Sequence, residues 1–345
     1  MIFSRKKGIA LLLFIIMLNI MLSPAQSLEQ QIEEHSSTLI YYDEIINCGL
    51  QLNIEENNLE KWYNSHPLIE YASLVKTTMT IKFIDGSYTL LLDVSTMLDN
   101  NRIENRKTLG ISSPLLSDYI SEDAIGYSAL LLNPSEYLYG NRHCKKIINR
   151  LLTKGYNIEY IANEDVDIPY IRYNLTAEIV YMNTHAGYWD IDGDQQADTV
   201  VVGTGEYWTN ETETTYQFEY ENQLIVKGMV GDKSFVCFTP AFIECYYDPG
   251  DMPDSLIYMA TCHATYDDSM ANAFLESGAS VYMGWTQNTV FWTNSKTSVR
   301  AFRLFTLGLT VQQVCSLIRY GGFFNFVFQS KLTYFGDKEH KIPTH

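Results

Sequence analysis

Ala177-Glu-Ile-Val-Tyr-Met-Asn-Thr-His-Ala-Gly187 and Leu256-Ile-Tyr-Met-Ala-Thr-Cys-His-Ala264 are the two stretches that decide how this chain folds. Each is a short apolar run, the length of a buried strand, that stops at a reactive side chain: His185 in the first and Cys262 in the second. In open α/β sheets, ligands bind outside the carboxyl ends of the strands. Two such strands in one sheet deliver an imidazole and a thiol to the same edge.

The surrounding pattern alternates between strand and helix. Ser128 to Leu132 predicts a short buried strand stopped by Asn133-Pro134, and Cys144 to Thr153 a helix with Ile147, Ile148, Leu151 and Leu152 on one face and Gly155 as its stop. Tyr156 to Ile161 reads as a strand, and Asp167 as the cap of a short helix over Ile168–Arg172 with Pro169 in its first turn. Ala177 to Met182 and Ser255 to Ala260 are the strands that lead to His185 and Cys262. A helix over Ser269–Ser277 follows, capped by Asp268 or Ser269, then a strand over Ser280–Gly284 and a helix from about Lys296 to Tyr320 with a break near Gly308. Such alternation implies an α/β fold, a mostly parallel sheet with helices on both faces. Residues 188–250 are acidic and tyrosine-rich and predict hairpins inserted between the histidine and cysteine strands.

Residues 28–125 have a different texture. Leu59 to Val75 reads as a helix with His66-Pro67 as its weak point, and Asp85-Gly86 between two β-rich runs is a hairpin signal. This region is expected to be a small N-terminal α+β accessory or pro-domain, joined through the polar linker Asp99–Lys107 to a domain spanning 126–345. Ahead of it, Arg5, Lys6 and Lys7, the apolar run Ile9–Leu22 and Ala25-Gln26-Ser27 have the form of a signal peptide over residues 1–27. The run is shorter than the ~20 residues that a spanning helix needs. No later stretch is apolar for long enough to span a bilayer, so a secreted or cell-surface protein is expected, with no stable membrane insertion after the leader is removed.

The net charge of −17 argues against nucleic acid as a partner. The six cysteines show neither a CxxC pair nor zinc spacing, and Cys237 with Cys245 is the nearest local pair for a disulfide. Asn174-Leu-Thr176 and Asn210-Glu-Thr212 are glycosylation sequons.

A thiol is a weak nucleophile near its free pKa of ~8.5 and is activated by a neighbouring imidazole or a helix N-terminus. Cys262 precedes a predicted helix, and Gly187 allows close backbone approach to a carbonyl. His263 adjoins Cys262, but successive strand residues face opposite ways, so it is expected to be a bystander. The order of apolar run–His then apolar run–Cys, here Ile179–His185 and Leu256–Cys262, followed by the helix–strand unit Ser269–Trp285, resembles the caspase–gingipain superfamily of cysteine peptidases over about residues 125–325. The resemblance implies a caspase-like fold and hydrolysis of a protein or peptide substrate through an acyl-enzyme. Cys262 would be the nucleophile, His185 the general acid/base, and the N–H groups of Gly187 and Cys262 the oxyanion hole. It also implies that the loop after the strand ending at Gly284, beginning Trp285-Thr286, lines the pocket for the substrate side chain. The chain departs from the family pattern in placing Ala186 between the histidine and Gly187, and in the long stretch between His185 and Cys262. A non-catalytic caspase-fold surface protein, a calcium-dependent binding module and a transpeptidase using the same dyad are the competing expectations.

Asp190-Ile-Asp-Gly-Asp-Gln-Gln-Ala-Asp198 carries carboxylates at alternate positions on a glycine-containing loop. Asp190, Asp192, Asp194 and Asp198 are expected to bind calcium, which takes six to eight oxygens. A polar turn made by the same Asp and Gly residues is the alternative. No organic cofactor is expected.

Overall fold

The computed structural model describes residues 42–52, 54–94 and 126–344. The expected leader at 1–27 and the expected linker at 99–107 lie outside the described residues. The chain divides into two units, Met1–Cys48 and Gly49–His345. Of the first, residues 42–48 are described and are helical.

In the second unit, α1 (Glu56–Asn64) leads into β1 (Ile69–Val75), β2 (Thr78–Phe83) and β3 (Tyr88–Leu91). There follow β4 (Ser128–Asn133), α2 (Arg142–Leu152), β5 (Asn157–Ala162), α3 (Ile168–Asn174) and β6 (Ile179–Met182). Next come β7 (Ala186–Trp189), β8 (Thr199–Tyr207), β9 (Ile225–Val230), β10 (Lys233–Phe238) and α4 (Pro240–Tyr246). The chain continues through β11 (Leu256–Met259), α5 (Ser269–Glu276), β12 (Val281–Trp285), α6 (Phe291–Phe305), α7 (Val311–Ile318), α8 (Phe323–Val327) and β13 (Leu332–Gly336). The fold is mixed α/β, built on two sheets.

The first sheet has strand order β13-β12-β11-β6-β4-β5. All its pairings are parallel except that of β12 with the edge strand β13. Alternation along each strand divides its side chains between two cores. Leu131, Tyr181, Tyr258 and Met283 face α2, α6 and α7, while Leu132, Met182, Met259 and Tyr282 face α3, α4 and α5. Helices therefore cover both faces, as the continuous apolar strands require. Asp167 caps α3 by accepting from Tyr170 N–H, with Pro169 in the first turn. The long C-terminal helix is broken into α6 and α7, with Gly308 between them at φ 82°.

The second sheet has order β1-β2-β3-β9-β10-β8-β7. It joins the Asp85-Gly86 hairpin of the N-terminal region to the strands of 186–238 through the parallel pairing of β3 with β9. The hairpin itself forms where expected, with Gly86 at φ 89°. The N-terminal strands are thus part of the same sheet as the inserted ones, and β3 covers what would otherwise be an open edge of β9. The sheet also curls, since Thr78 and Thr80 of β2 accept from the N–H groups of Tyr188 and Asp190 near the far edge strand (3.2 Å each).

Two expectations are corrected. The helix expected over Leu59–Val75 ends at Asn64, and Ile69–Val75 is strand. Pro67 has no N–H to offer a helix, and the residues beyond it pair with β2. All six cysteines are free: Cys237 is buried in β10 while Cys245 is exposed. The sequon residues Asn174 and Asn210 are both exposed. Among the described residues no helix is long and apolar enough to cross a membrane.

β8 is tied to segments that flank the first sheet. Gly205 N–H donates to Val166 O (2.9 Å), and Val200 N–H to Ser269 Oγ (3.3 Å). A Cβ at Gly205 would overlap the carbonyl of Asn163, a backbone atom with no side-chain freedom to yield. Gly205→Ala is therefore expected to lower unfolding free energy by about 1–3 kcal/mol in a denaturant titration.

Candidate active site

His185 and Cys262 reach the same edge through register. β6 and β11 are adjacent and parallel, with Met182 opposite Met259, and Ala260 N–H donates to Met182 O at 2.8 Å. His185 stands three residues beyond Met182 and Cys262 three beyond Met259. Both side chains are partly exposed at the carboxyl edge of the parallel sheet.

A buried set of amides lies beneath them. Asn133, which ends β4, accepts from Asn183 Nδ2 (2.8 Å), and Asn183 accepts from Asn294 Nδ2 (3.2 Å). Asn294, on α6, also donates to Ala260 O (2.7 Å) and accepts from the indole N–H of Trp285 (2.9 Å). One side chain therefore binds the histidine strand two residues before His185, the cysteine strand two residues before Cys262, and the end of β12. Asn133 and Asn183 were legible as polar ends of apolar runs; Asn294, inside a helix, carried no such signal.

The surroundings of the pair come from distant segments. Tyr139 Oη stands 3.3 Å from His185 Nε2, and its ring stacks on Phe291 with centroids 4.1 Å apart. Thr289 N–H donates to Cys262 Sγ (3.2 Å), and the thiol faces Thr289 O at 3.6 Å. Asp93 follows β3 in a left-handed conformation (φ 61°). Its neighbours are pinned, Leu92 N–H to Met229 O (2.9 Å) and Val94 N–H to Thr77 O (2.8 Å).

Electrostatics favour a neutral resting pair. Burial pushes the Cys262 thiol up to about 12; the Asp93 carboxylate adds to this, and the N–H groups of Thr289 and Cys262 oppose it. Burial lowers the His185 pKa while Asp93 raises it. The same carboxylate thus acts on both groups, disfavouring a lone thiolate and favouring an imidazolium. Nothing in the sequence near Asp93 signalled this role.

The other expected site residues are placed as follows. Gly187 lies in β7 opposite Val201, with Leu92 and Thr78 side chains filling the space where a Cβ would be (2.6 Å). His185 O accepts from Gly203 N–H of β8 (2.9 Å), so Gly187, two residues on, shares that phase and turns its N–H into the same ladder. Trp285 is fully buried with its indole N–H engaged by Asn294, a place in the core beneath the edge. Thr286 is partly exposed and pairs with Lys331 at the start of the loop that reaches Thr289. His263 is buried at φ 58°, its Nδ1 bonded to Tyr188 Oη and its Nε2 3.3 Å from Thr77 Oγ1.

In the aspartate loop, Asp190, Asp192 and Asp194 each offer one oxygen within 4.8 Å of the others. Asp190 is buried and also accepts from Gly193 N–H (2.7 Å), Gln195 N–H (2.9 Å) and Ser73 Oγ. Asp198 lies outside this group and accepts from Ile191 N–H (2.6 Å). The loop therefore combines turn chemistry with three convergent carboxylates.

Compared with protein-family models and with curated proteins, the sequence matches none.

Burial lowers His263 to about 3 and His143 to about 4. The unfolded chain protonates both near 6.5, so it binds more protons than the native state between that value and the native ones. Their contribution to stability is complete above pH ~6.5 and is lost as pH falls toward 4 and 3. The unfolding free energy, read by heat or denaturant, is expected to fall over this window by up to about 1.4 kcal/mol per pH unit for each histidine. His263→Gln is expected to flatten the acid limb.

Proposed function

We propose that this protein is a secreted cysteine endopeptidase of the caspase–gingipain type, acting through Cys262 and His185. The observation that supports it most is the matched delivery of these two residues by adjacent parallel strands to one sheet edge. A parallel sheet covered by helices on both faces is the scaffold such a reading requires.

In this reading a peptide carbonyl enters beside the neutral thiol. The sulfur attacks the carbonyl carbon as its proton passes to His185, so positive charge forms on the imidazole and negative charge on the carbonyl oxygen. Asp93 lowers the cost of the imidazolium at that moment. The N–H of Cys262 faces the developing oxyanion. Gly187 is left out of this role because its N–H phase belongs to the ladder with β8. His185 then gives its proton to the leaving amine, leaving a thioester. Water attacks the thioester with His185 as base, and the thiol is restored. Tyr139 holds the imidazole, and Thr289 holds the sulfur.

A non-catalytic binding module has one observation in its favour, the thiol held protonated at rest. Labelling with a peptidyl thiol-reactive probe separates the two. The peptidase reading expects labelling of Cys262 and cleavage of peptides, abolished in Cys262→Ala. It expects His185→Ala to slow cleavage by roughly 10²–10⁴-fold. Asp93→Asn is expected to lower kcat by about tenfold, the equivalent of ~1.4 kcal/mol of imidazolium stabilisation. A wild type that neither labels nor cleaves would rule out the peptidase. Ligation of an added amine to the acyl group in place of hydrolysis would mark a transpeptidase.

Calcium belongs to the same reading. Asp190, Asp192 and Asp194 suit a hard cation, and their loop leaves directly from β7, the continuation of the His185 segment. Removing calcium with a chelator is expected to lower the thermal midpoint and the cleavage rate together, and added calcium to restore both. A chelator without effect on either would leave the loop as a turn.

A further inference from the structure

The most exposed apolar surface of the described chain is α8. Phe323, Phe324, Phe326, Val327 and Phe328 are each between 47% and 73% exposed. Only Asn325 of this segment faces inward, fully buried, with its Nδ2 donating to Thr289 Oγ1 (2.9 Å). A helical turn with one inward residue and large apolar side chains on every other side stands out from the body; it is a projection, not a groove. Trp292, 55% exposed, adjoins it with its ring 6.0 Å from that of Phe324, and Tyr320 meets Phe326 edge-on at 5.2 Å.

The charge of the stretch that carries this projection runs against that of the chain. The protein carries −17, yet residues 277–336 contain no aspartate or glutamate. Lys296 lies one turn beyond Trp292 on α6, exposed on the same face. Arg319 is exposed and sits 5.3 Å from the Tyr320 ring, and Lys331, partly exposed, stands three residues beyond Phe328. Aromatic and apolar side chains on a convex tip, rimmed by basic groups, match a lipid interface: rings enter the headgroup boundary while cations meet anionic headgroups. The acidic remainder does not cancel this locally, because screening limits each charge to about 8 Å at physiological salt.

We propose that α8 with Trp292 is a peripheral docking surface for an anionic lipid bilayer, with Lys296, Arg319 and Lys331 supplying the charge. Such docking wets the tip of one face and needs no spanning helix. The tip is tied through Asn325 to Thr289, so it presents the edge carrying Cys262 alongside the bilayer.

Flotation of the full chain with vesicles tests this. Vesicles of equal parts phosphatidylglycerol and phosphatidylcholine are expected to carry the wild type, and phosphatidylcholine alone to bind about tenfold less. The triple variant Phe323→Ser, Phe326→Ser, Phe328→Ser is expected to stay unbound, with far-UV circular dichroism and thermal midpoint reporting that it is folded. Arg319→Gln with Lys331→Gln, which leaves every aromatic in place, is expected to weaken binding about tenfold or more, and added salt to do the same. Trp292 emission is expected to shift to the blue only with the anionic vesicles. Equal binding to both vesicle types, or binding undiminished in both variants (as an uncleaved leader would give), overturns the proposal. So does a phenylalanine variant that keeps its vesicle binding but loses binding of apolar peptides, which would make α8 a substrate surface.

Discussion

The parallel register of β6 and β11 is the constraint on which the site depends. A strand pair slipped by one residue would turn each side chain to the opposite face. It would place His185 and Cys262 at different heights above the sheet and on different sides. The apolar alternation of both strands holds the register, because Met182 and Met259 belong to one core and Tyr181 and Tyr258 to the other. Asn294 adds directional control where alternation ends. Its amide reaches both strands just before they leave the sheet, and Trp285 orients the amide in turn. A buried amide with all these partners is costly to misplace, since any shift strands polar groups away from water.

The same depth that orders the pair keeps it uncharged. Burial raises the thiol and lowers the imidazole, so neither ionises alone at neutral pH. Asp93 acts on both groups, adding to the rise of the thiol and opposing the fall of the imidazole. A carboxylate near both repels a thiolate and attracts an imidazolium. Tyr139 and Thr289 are neutral supports for that arrangement and hold one partner each.

What the sequence made legible were features whose cause is local. The β/α alternation, the Asp85-Gly86 turn, the Asp167 cap and the break at Gly308 all follow from periodicity or from one residue's backbone preference. The two apolar runs ending in His185 and Cys262 belong to this class. Features whose cause is non-local were opaque. The parallel pairing of β3 with β9 joins segments more than a hundred residues apart, and neither strand carries a mark of its partner. Asp93 is placed in part by that pairing, through the bond from Leu92 N–H to Met229 O. The resemblance implied a pocket role for Trp285; the side chain is buried, and its indole N–H meets Asn294, which no periodicity in α6 singles out. The reading of Leu59–Val75 failed for a simpler reason: a run apolar at helical spacing up to Tyr63 continues into one that alternates, and Pro67 divides them.

The parallel join of β3 to β9 also bears on which parts of the chain could be removed without undoing the fold. Many secreted hydrolases are made as zymogens whose N-terminal segment is cut and released. Here that segment supplies internal strands of a shared sheet, the carboxylate of Asp93, and the Thr77 hydroxyl beside His263. A cut between Val94 and Gly126 would nick the chain without freeing either piece, leaving a two-chain molecule held by the sheet. Losing residues 69–94 altogether would strip β9 of its neighbour and the imidazole of its carboxylate. Residues 69–91 are therefore strands of the fold itself and not a separable segment.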